Sequence, residues 1–287
     1  APVPTPCGLP RSEVETVRTA LGATCLAADA RDVFWSDGND VWSAPLAGGE
    51  PRTLLRTPGK RTIRKLRVVD ERVFVLEQEG GDGKCSGRVA WIDRQGSELH
   101  PVGDEGCLQD FDVSGDWVVY TTEHNAPFDG GLQSSLWKAK ADGGPASDVF
   151  NLFDGITHVV TDGKYAYVGL AMDQLHRVAL RTAAAEALNE GVIEGKRDGI
   201  WHTFFAVDDR YVFFGFGHIN LKGATLYRLD KAPGPAEPVA LGKMFPPIDG
   251  SAGWPAGDLL QTSTHLVWAS PEGRVLRVTK DGHCPIE

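Results

Sequence analysis

Four histidines are spaced so that a repeating fold could bring them together: His124, His158, His202 and His218. Imidazole nitrogens suit borderline transition metals, so a converging set implies zinc, copper or iron. Asp110, Glu123, Asp129 and Asp258 stand near them in the repeat, as extra ligands or as partners that orient the rings. With a metal in place, Asp110 or Glu123 would be the candidate general base. Aromatic residues offer a different chemistry. Trp201 and Trp254, with Phe128 and Phe216, have the flat faces that stack on sugars or aromatic ligands, and Asp258 adds a hydrogen-bonding group. The remaining histidines, His100, His176, His265 and His283, map away from this group.

No other catalytic pattern accompanies them. The sequence contains no GxSxG elbow, HExxH pair, Walker loop or complete GxGxxG. A formal net charge of −10 argues against a nucleic-acid partner. The basic stretch Lys60-Arg61-Thr62-Ile63-Arg64-Lys65-Leu66-Arg67 is the exception, and reads as an exposed loop entering a strand. No apolar run is long enough to be read as a membrane-spanning helix.

What must position these residues is a repeat. A turn followed by an apolar, aromatic-ended strand recurs as Asp29 to Trp35, Asp70 to Val75, Ser114 to Tyr120, Asp162 to Tyr167, Asp208 to Phe213 and Ser263 to Trp268. A third strand follows each time, as in Val41-Trp42-Ser43-Ala44, Leu136-Trp137-Lys138-Ala139, Leu226-Tyr227-Arg228-Leu229 and Val275-Leu276-Arg277-Val278. Small-residue turns such as Ala47-Gly48-Gly49-Glu50-Pro51 come next, then a weaker fourth strand. Four short strands at a period of roughly 45 residues are the signature of propeller blades.

The expected fold is therefore all-β: a single six-bladed β-propeller over residues 1–287, with four-stranded antiparallel blades. The blades fall near 23–56, 63–104, 107–153, 156–190, 200–242 and 257–284. Residues 1–10 form an N-terminal arm. Residues 11–22 supply the strand that completes the last blade and closes the ring, which removes its exposed edges. Aligning the inner strands on the turn residues Asp29, Asp70, Ser114, Asp162, Asp208 and Ser263 gives a polar ring at one channel mouth. It consists of Thr24, Lys65, Gln109, Thr157, Thr203 and Asp258. Two long segments, 189–201 and 242–257, border the same mouth.

The architecture pairs the cysteines. Cys7 and Cys284 flank the closing strand and its partner, so a Cys7–Cys284 disulfide would lock the ring. Cys85 and Cys107 fall in loops that a propeller places on one face, so they too are expected to pair. Cys25 is left as a buried thiol on an inner strand. Two disulfides imply an oxidising compartment, and Ala1-Pro2-Val3-Pro4-Thr5-Pro6 reads as a mature N-terminus left by signal removal. The protein is expected to be secreted or periplasmic.

The first repeat resembles the TolB-like six-bladed propellers, through Asp29 to Trp35 followed by Pro45-Leu46-Ala47-Gly48-Gly49-Glu50-Pro51. These motifs govern turns and packing, so the resemblance implies a fold and not a reaction. Propellers of the lactonase and paraoxonase type hold calcium with Glu, Asn and Asp, whereas this mouth offers histidine. Two functions follow from the sequence. One is a secreted binding module that presents its channel mouth to a small molecule, peptide or glycan. The other is a metal-dependent enzyme with a histidine-rich site there, acting on a small molecule.

Overall fold

The structure, a computed structural model, describes residues 25–57, 59, 61–79, 85–96, 98–125, 132–152, 155–170, 175–188, 200–218, 224–232, 237–243, 259–261, 265–269 and 275–280. Strands alternate with polar turns along these residues, and no helix among them is long and apolar enough to cross a membrane. Blade 1 contains β1 (Cys25–Ala28), β2 (Asp32–Ser36), β3 (Asp40–Pro45) and β4 (Arg52–Arg56). Blade 2 contains β5 (Arg61–Val69), β6 (Arg72–Glu79), β7 (Ser86–Asp93) and β8 (His100–Gly106). Blade 3 contains β9 (Leu108–Ser114), β10 (Trp117–Asn125), β11 (Leu132–Lys140) and β12 (Ser147–Leu152). Blade 4 contains β13 (Ile156–Thr161), β14 (Tyr165–Leu170), β15 (Leu175–Ala179) and β16 (Ala185–Ala187). Blade 5 contains β17 (Ile200–Val207), β18 (Tyr211–His218), β19 (Ala224–Asp230) and β20 (Val239–Lys243). A further sheet holds β21 (Leu260–Gln261), β22 (His265–Ala269) and β23 (Val275–Thr279).

Every sheet is an antiparallel meander in chain order. The expected six four-stranded blades are thus corrected to five, because the last sheet has three strands among the described residues. The closing strand assigned to residues 11–22 lies outside the described residues, as do Cys7 and Cys284. The first strands pack in series, β1 on β5, β5 on β9, β9 on β13 and β13 on β17, which is the inner ring of a propeller.

Between neighbouring sheets lie apolar layers, because the central strands of each blade carry apolar residues on both faces. Phe34, Leu66, Val75 and Ile92 fill the gap between blades 1 and 2. Phe74, Phe111, Tyr120 and Ala139 fill the next, Val119, Val159 and Val168 the third, and Tyr167, Val212 and Phe214 the fourth.

A polar clasp repeats at the end of the third strand of every sheet from blade 2 onward. A cation on one blade donates to the carbonyl oxygen of the residue just after the third strand of the next blade. Arg52 reaches Arg94 O at 2.5 Å, Arg72 reaches Ala141 O at 3.2 Å, and Lys138 reaches Leu180 O. Arg177 reaches Lys231 O at 2.6 Å, and Arg228 reaches Lys280 O at 3.0 Å, which ties the three-stranded sheet to blade 5. Where the third strand offers Ser43 or Trp91 instead of a cation, a neighbour substitutes. Arg52 donates to Ser43 Oγ at 3.1 Å, and Arg72 lies 4.6 Å from the Trp91 ring.

Candidate binding site at the channel mouth

The inner strands β5, β9, β13 and β17 each carry a register shift near their start, at Arg64, Gln109, Thr157 and Phe204. A bulge inserts one unpaired residue and re-aims its side chain. The insertions at Arg64, Gln109 and Thr157 share one level and that at Phe204 lies one pair deeper, and together they give the mouth of the channel its own set of residues. Arg64 and Gln109 are exposed, while Ile63, Lys65, Leu108 and Asp110 beside them are buried.

The register also corrects the sequence alignment. Asp70 adopts a φ of 54° within a tight turn, as Gly115 does at 56°. The residue equivalent to Ser114 is therefore Val69, because Val69 pairs with Arg72 as Ser114 pairs with Trp117. Blade 2 was offset by one position. Lys65 consequently shares a level with Asp110 and His158, opposite Leu76, Thr121 and Gly169, and not with Gln109 and Thr157.

These three side chains meet. Lys65 Nζ lies 2.5 Å from Asp110 Oδ1, and His158 Nδ1 lies 3.4 Å from Asp110 Oδ2. The Val159 amide donates to the same Oδ2 at 2.9 Å, and the Asp110 amide donates to Thr121 Oγ1 at 3.2 Å. Two residues along, the arrangement repeats: Arg67 Nε donates to Asp112 Oδ1 at 2.8 Å, and Thr161 N to Asp112 Oδ2 at 2.8 Å. Each carboxylate of β9 thus bridges a cation on β5 and a backbone amide on β13. Burial alone would raise the Asp110 pKa, but the Lys65 ammonium and the His158 imidazole outweigh it. They hold the carboxyl far below the usual carboxylate range. A buried charge needs this degree of pairing.

The basic stretch is therefore not a loop entering a strand. From Arg61 onward it is β5, the inner strand of blade 2, and three of its four cations, Arg61, Lys65 and Arg67, are answered by acids on other strands. Arg61 Nη1 lies 3.7 Å from the buried Glu77 and its Nη2 3.2 Å from Glu105, while Arg88 Nε lies 2.6 Å from Glu77.

The rim next to Gln109 is stapled. Cys85 and Cys107 form a disulfide with a Cα separation of 4.8 Å, as the sequence led us to expect. Glu123 donates its amide to Cys107 O at 2.9 Å and accepts from Gln109 Nε2 at 2.7 Å. Cys25 is buried on β1.

Of the histidines that the sequence offers as metal ligands, His158 is half-buried at the level of Asp110. His124 lies on β10 opposite Gln133, His202 on β17 opposite Phe216 and His218 on β18 opposite Ile200. The side chains of His124, His202 and His218 lie outside the described residues, as does that of Trp201. Phe128, Asp129, Trp254 and Asp258 lie outside them entirely. Among the described residues, no three His, Cys, Asp or Glu side chains gather as metal ligands would. The residues that sequence reasoning passed over are Arg64 and the β5–β9 ion pairs. A signal for the pairs existed: Lys65-x-Arg67 and Asp110-x-Asp112 stand 45 residues apart, one blade period.

The sequence matches no protein-family model and no curated protein. Solved structures do share its fold. Among them is YCF48 bound to D1 peptide, at 9% identity and a TM-score of 0.59, over 90% of this chain and 78% of that one. A putative TolB from Agrobacterium tumefaciens matches at 13% identity and a TM-score of 0.58, over 90% and 88% of the chains. Oligogalacturonate lyase in complex with manganese matches at 13% and 0.59, over 90% and 76%. At such identities the likeness establishes the β-propeller fold and nothing further.

Proposed function

We propose that the protein is a secreted or periplasmic binding module that presents the bulged mouth of its channel to a ligand or partner. The reading adds that residues 11–22 pair with the β21–β23 sheet and that Cys7–Cys284 locks this closure. One observation carries the function. The bulges at Arg64 and Gln109 turn polar side chains out at the mouth, while the next residues inward are consumed in ties between blades. That division suits a rigid scaffold with a recognition rim. The Cys85–Cys107 disulfide fits an oxidising compartment, and the bound peptide of YCF48 offers a precedent within the fold.

A photo-crosslinking residue placed at Gln109, and separately at Asp116 in the β9–β10 turn at the other end, tests the reading in the producing cells. Adducts formed from Gln109 and not from Asp116 are expected. Adducts from Asp116 alone, or from neither, would overturn it.

The second reading, a metal-dependent enzyme, is favoured by the placement of the half-buried His158 against Asp110. Zinc, copper or iron would be held by His158 and His202, with His124 and His218 next, and would supply Lewis-acid or redox chemistry. Asp110 would have to surrender Lys65 and Val159 to accept a proton, so Glu123 is the better base of the two. Elemental analysis of untagged protein decides: stoichiometric metal lost in His158→Ala and His202→Ala supports this reading, and metal content unchanged by them removes it.

A further inference from the structure

We infer that the mouth captures the free C-terminus of a peptide, with Arg64 binding its carboxylate. The inference rests on the mouth being the binding surface, as proposed above. Strand β5 carries four cations, and three are engaged. Arg61 meets Glu77 and Glu105, Lys65 meets Asp110, and Arg67 meets Asp112. Arg64 is exposed, and among the described residues it enters no ion pair or hydrogen bond. Its bulge removes it from the alternation that buries Ile63 and Lys65, so its guanidinium is presented at the rim.

Gln109 occupies the matching bulge on β9. Its amide nitrogen donates to Glu123 Oε2 at 2.7 Å and lies 3.6 Å from Cys107 Sγ, which leaves its carbonyl oxygen as an acceptor. A planar donor fork at one bulge and an amide acceptor at the matching bulge of the adjoining inner strand match a terminal carboxylate and the main-chain N–H that precedes it. Glu105 and Glu123 stand on the same rim and would repel further negative charge. One carboxylate can be answered by Arg64, whereas a polyanion with a charge on every unit cannot. That selects a peptide end over a polyuronate. The cations deeper along β5 are spent on Asp110 and Asp112, so the chain end stops at Arg64.

Fluorescence anisotropy with a labelled random hexapeptide pool tests this, using the free-acid pool and the same pool amidated at its C-terminus. The free-acid pool is expected to bind, with affinity falling about tenfold or more on amidation or in R64Q. R64Q removes an exposed side chain without partners among the described residues, so its unfolding midpoint should match wild type. Equal binding of the amidated pool, undiminished binding by R64Q, binding of neither pool, or preference for oligogalacturonate would each overturn the inference. Hydrogen exchange separates this failure from failure of the mouth itself. Protection at the starts of β5 and β9 with no effect of amidation would sink the carboxylate assignment and leave the mouth standing. Protection elsewhere would sink both.

Discussion

The Asp208 carboxylate lies 3.2 Å from Lys280 Nζ, and the same pair recurs one blade earlier as Asp162 with Lys231 at 2.6 Å. Asp29 with Arg94 is the third instance. In each case the other carboxylate oxygen caps the turn of its own hairpin. Asp162 Oδ1 accepts from Lys164 N at 3.0 Å and Tyr165 N at 2.8 Å, and Asp208 Oδ1 from Arg210 N at 2.9 Å and Tyr211 N at 2.8 Å. One side chain therefore shapes a turn and joins two blades. Turn and joint are coupled through a single residue.

The carbonyl clasps predict how the ring closes. On β23, Arg277 pairs with Val267 as Arg228 pairs with Phe213 and Arg177 with Tyr167. The carbonyl waiting for it one blade on is that of Leu46, the residue after β3. Arg228→Ala should cost roughly 1.5–3 kcal/mol in urea unfolding, the range for a hydrogen bond to a charged group. Arg277→Ala should cost a similar amount. A stability unchanged in Arg277→Ala alone would mean that the ring is not joined there.

The bridge between β5 and β9 should behave as a buried pair. Lys65→Met or Asp110→Leu alone strands a charge and should lose about 3–5 kcal/mol. The double variant should recover a large part of that loss. If the two losses simply add, the pairing is not what the two residues contribute.

Acid should unfold the protein through these carboxylates. Folding lowers the Asp110 pKa from its unfolded value near about 4, and lowers those of Asp162 and Asp208 as well. A lowered carboxylate pKa stabilises the fold above the unfolded value, and that contribution is lost as pH falls below it. Urea midpoints should therefore decline from pH 5 to pH 3, less steeply in Asp110→Asn. A flat profile across that interval would contradict the assignment.

Removing the Cys85–Cys107 staple should lower stability by about 3 kcal/mol on the chain-entropy scale. Cys85→Ser with Cys107→Ser, followed by denaturant, measures it. Peptide mass mapping of the same preparation should reveal Cys7 joined to Cys284; a Cys7–Cys25 link would break the closure scheme.

Blades were legible in the sequence because apolar-aromatic strands after polar turns keep a two-residue alternation that burial then uses. The Cys85–Cys107 pairing followed from loop position alone. The mouth was harder to read. Asp70-Glu71-Arg72-Val73 imitates the turns at Asp162 and Asp208, yet Asp70 sits in the left-handed position of a tighter turn, and the alignment slipped by one residue. The bulges at Arg64 and Gln109 leave no compositional mark, since an inserted residue need only tolerate exposure. The charges of β5 looked like a solvated loop because their acid partners stand a whole blade away.

The clasps have one more consequence. Each contacts a main-chain oxygen, at Arg94, Ala141, Leu180, Lys231 and Lys280, so the clasp itself makes no demand on the side chain there. Those positions answer instead to the turn acids that hold Arg94, Lys231 and Lys280 and to the core around Ala141 and Leu180, while the clasps persist through any exchange these allow. A scaffold jointed in this way can drift until its ancestry is unreadable and still keep its shape.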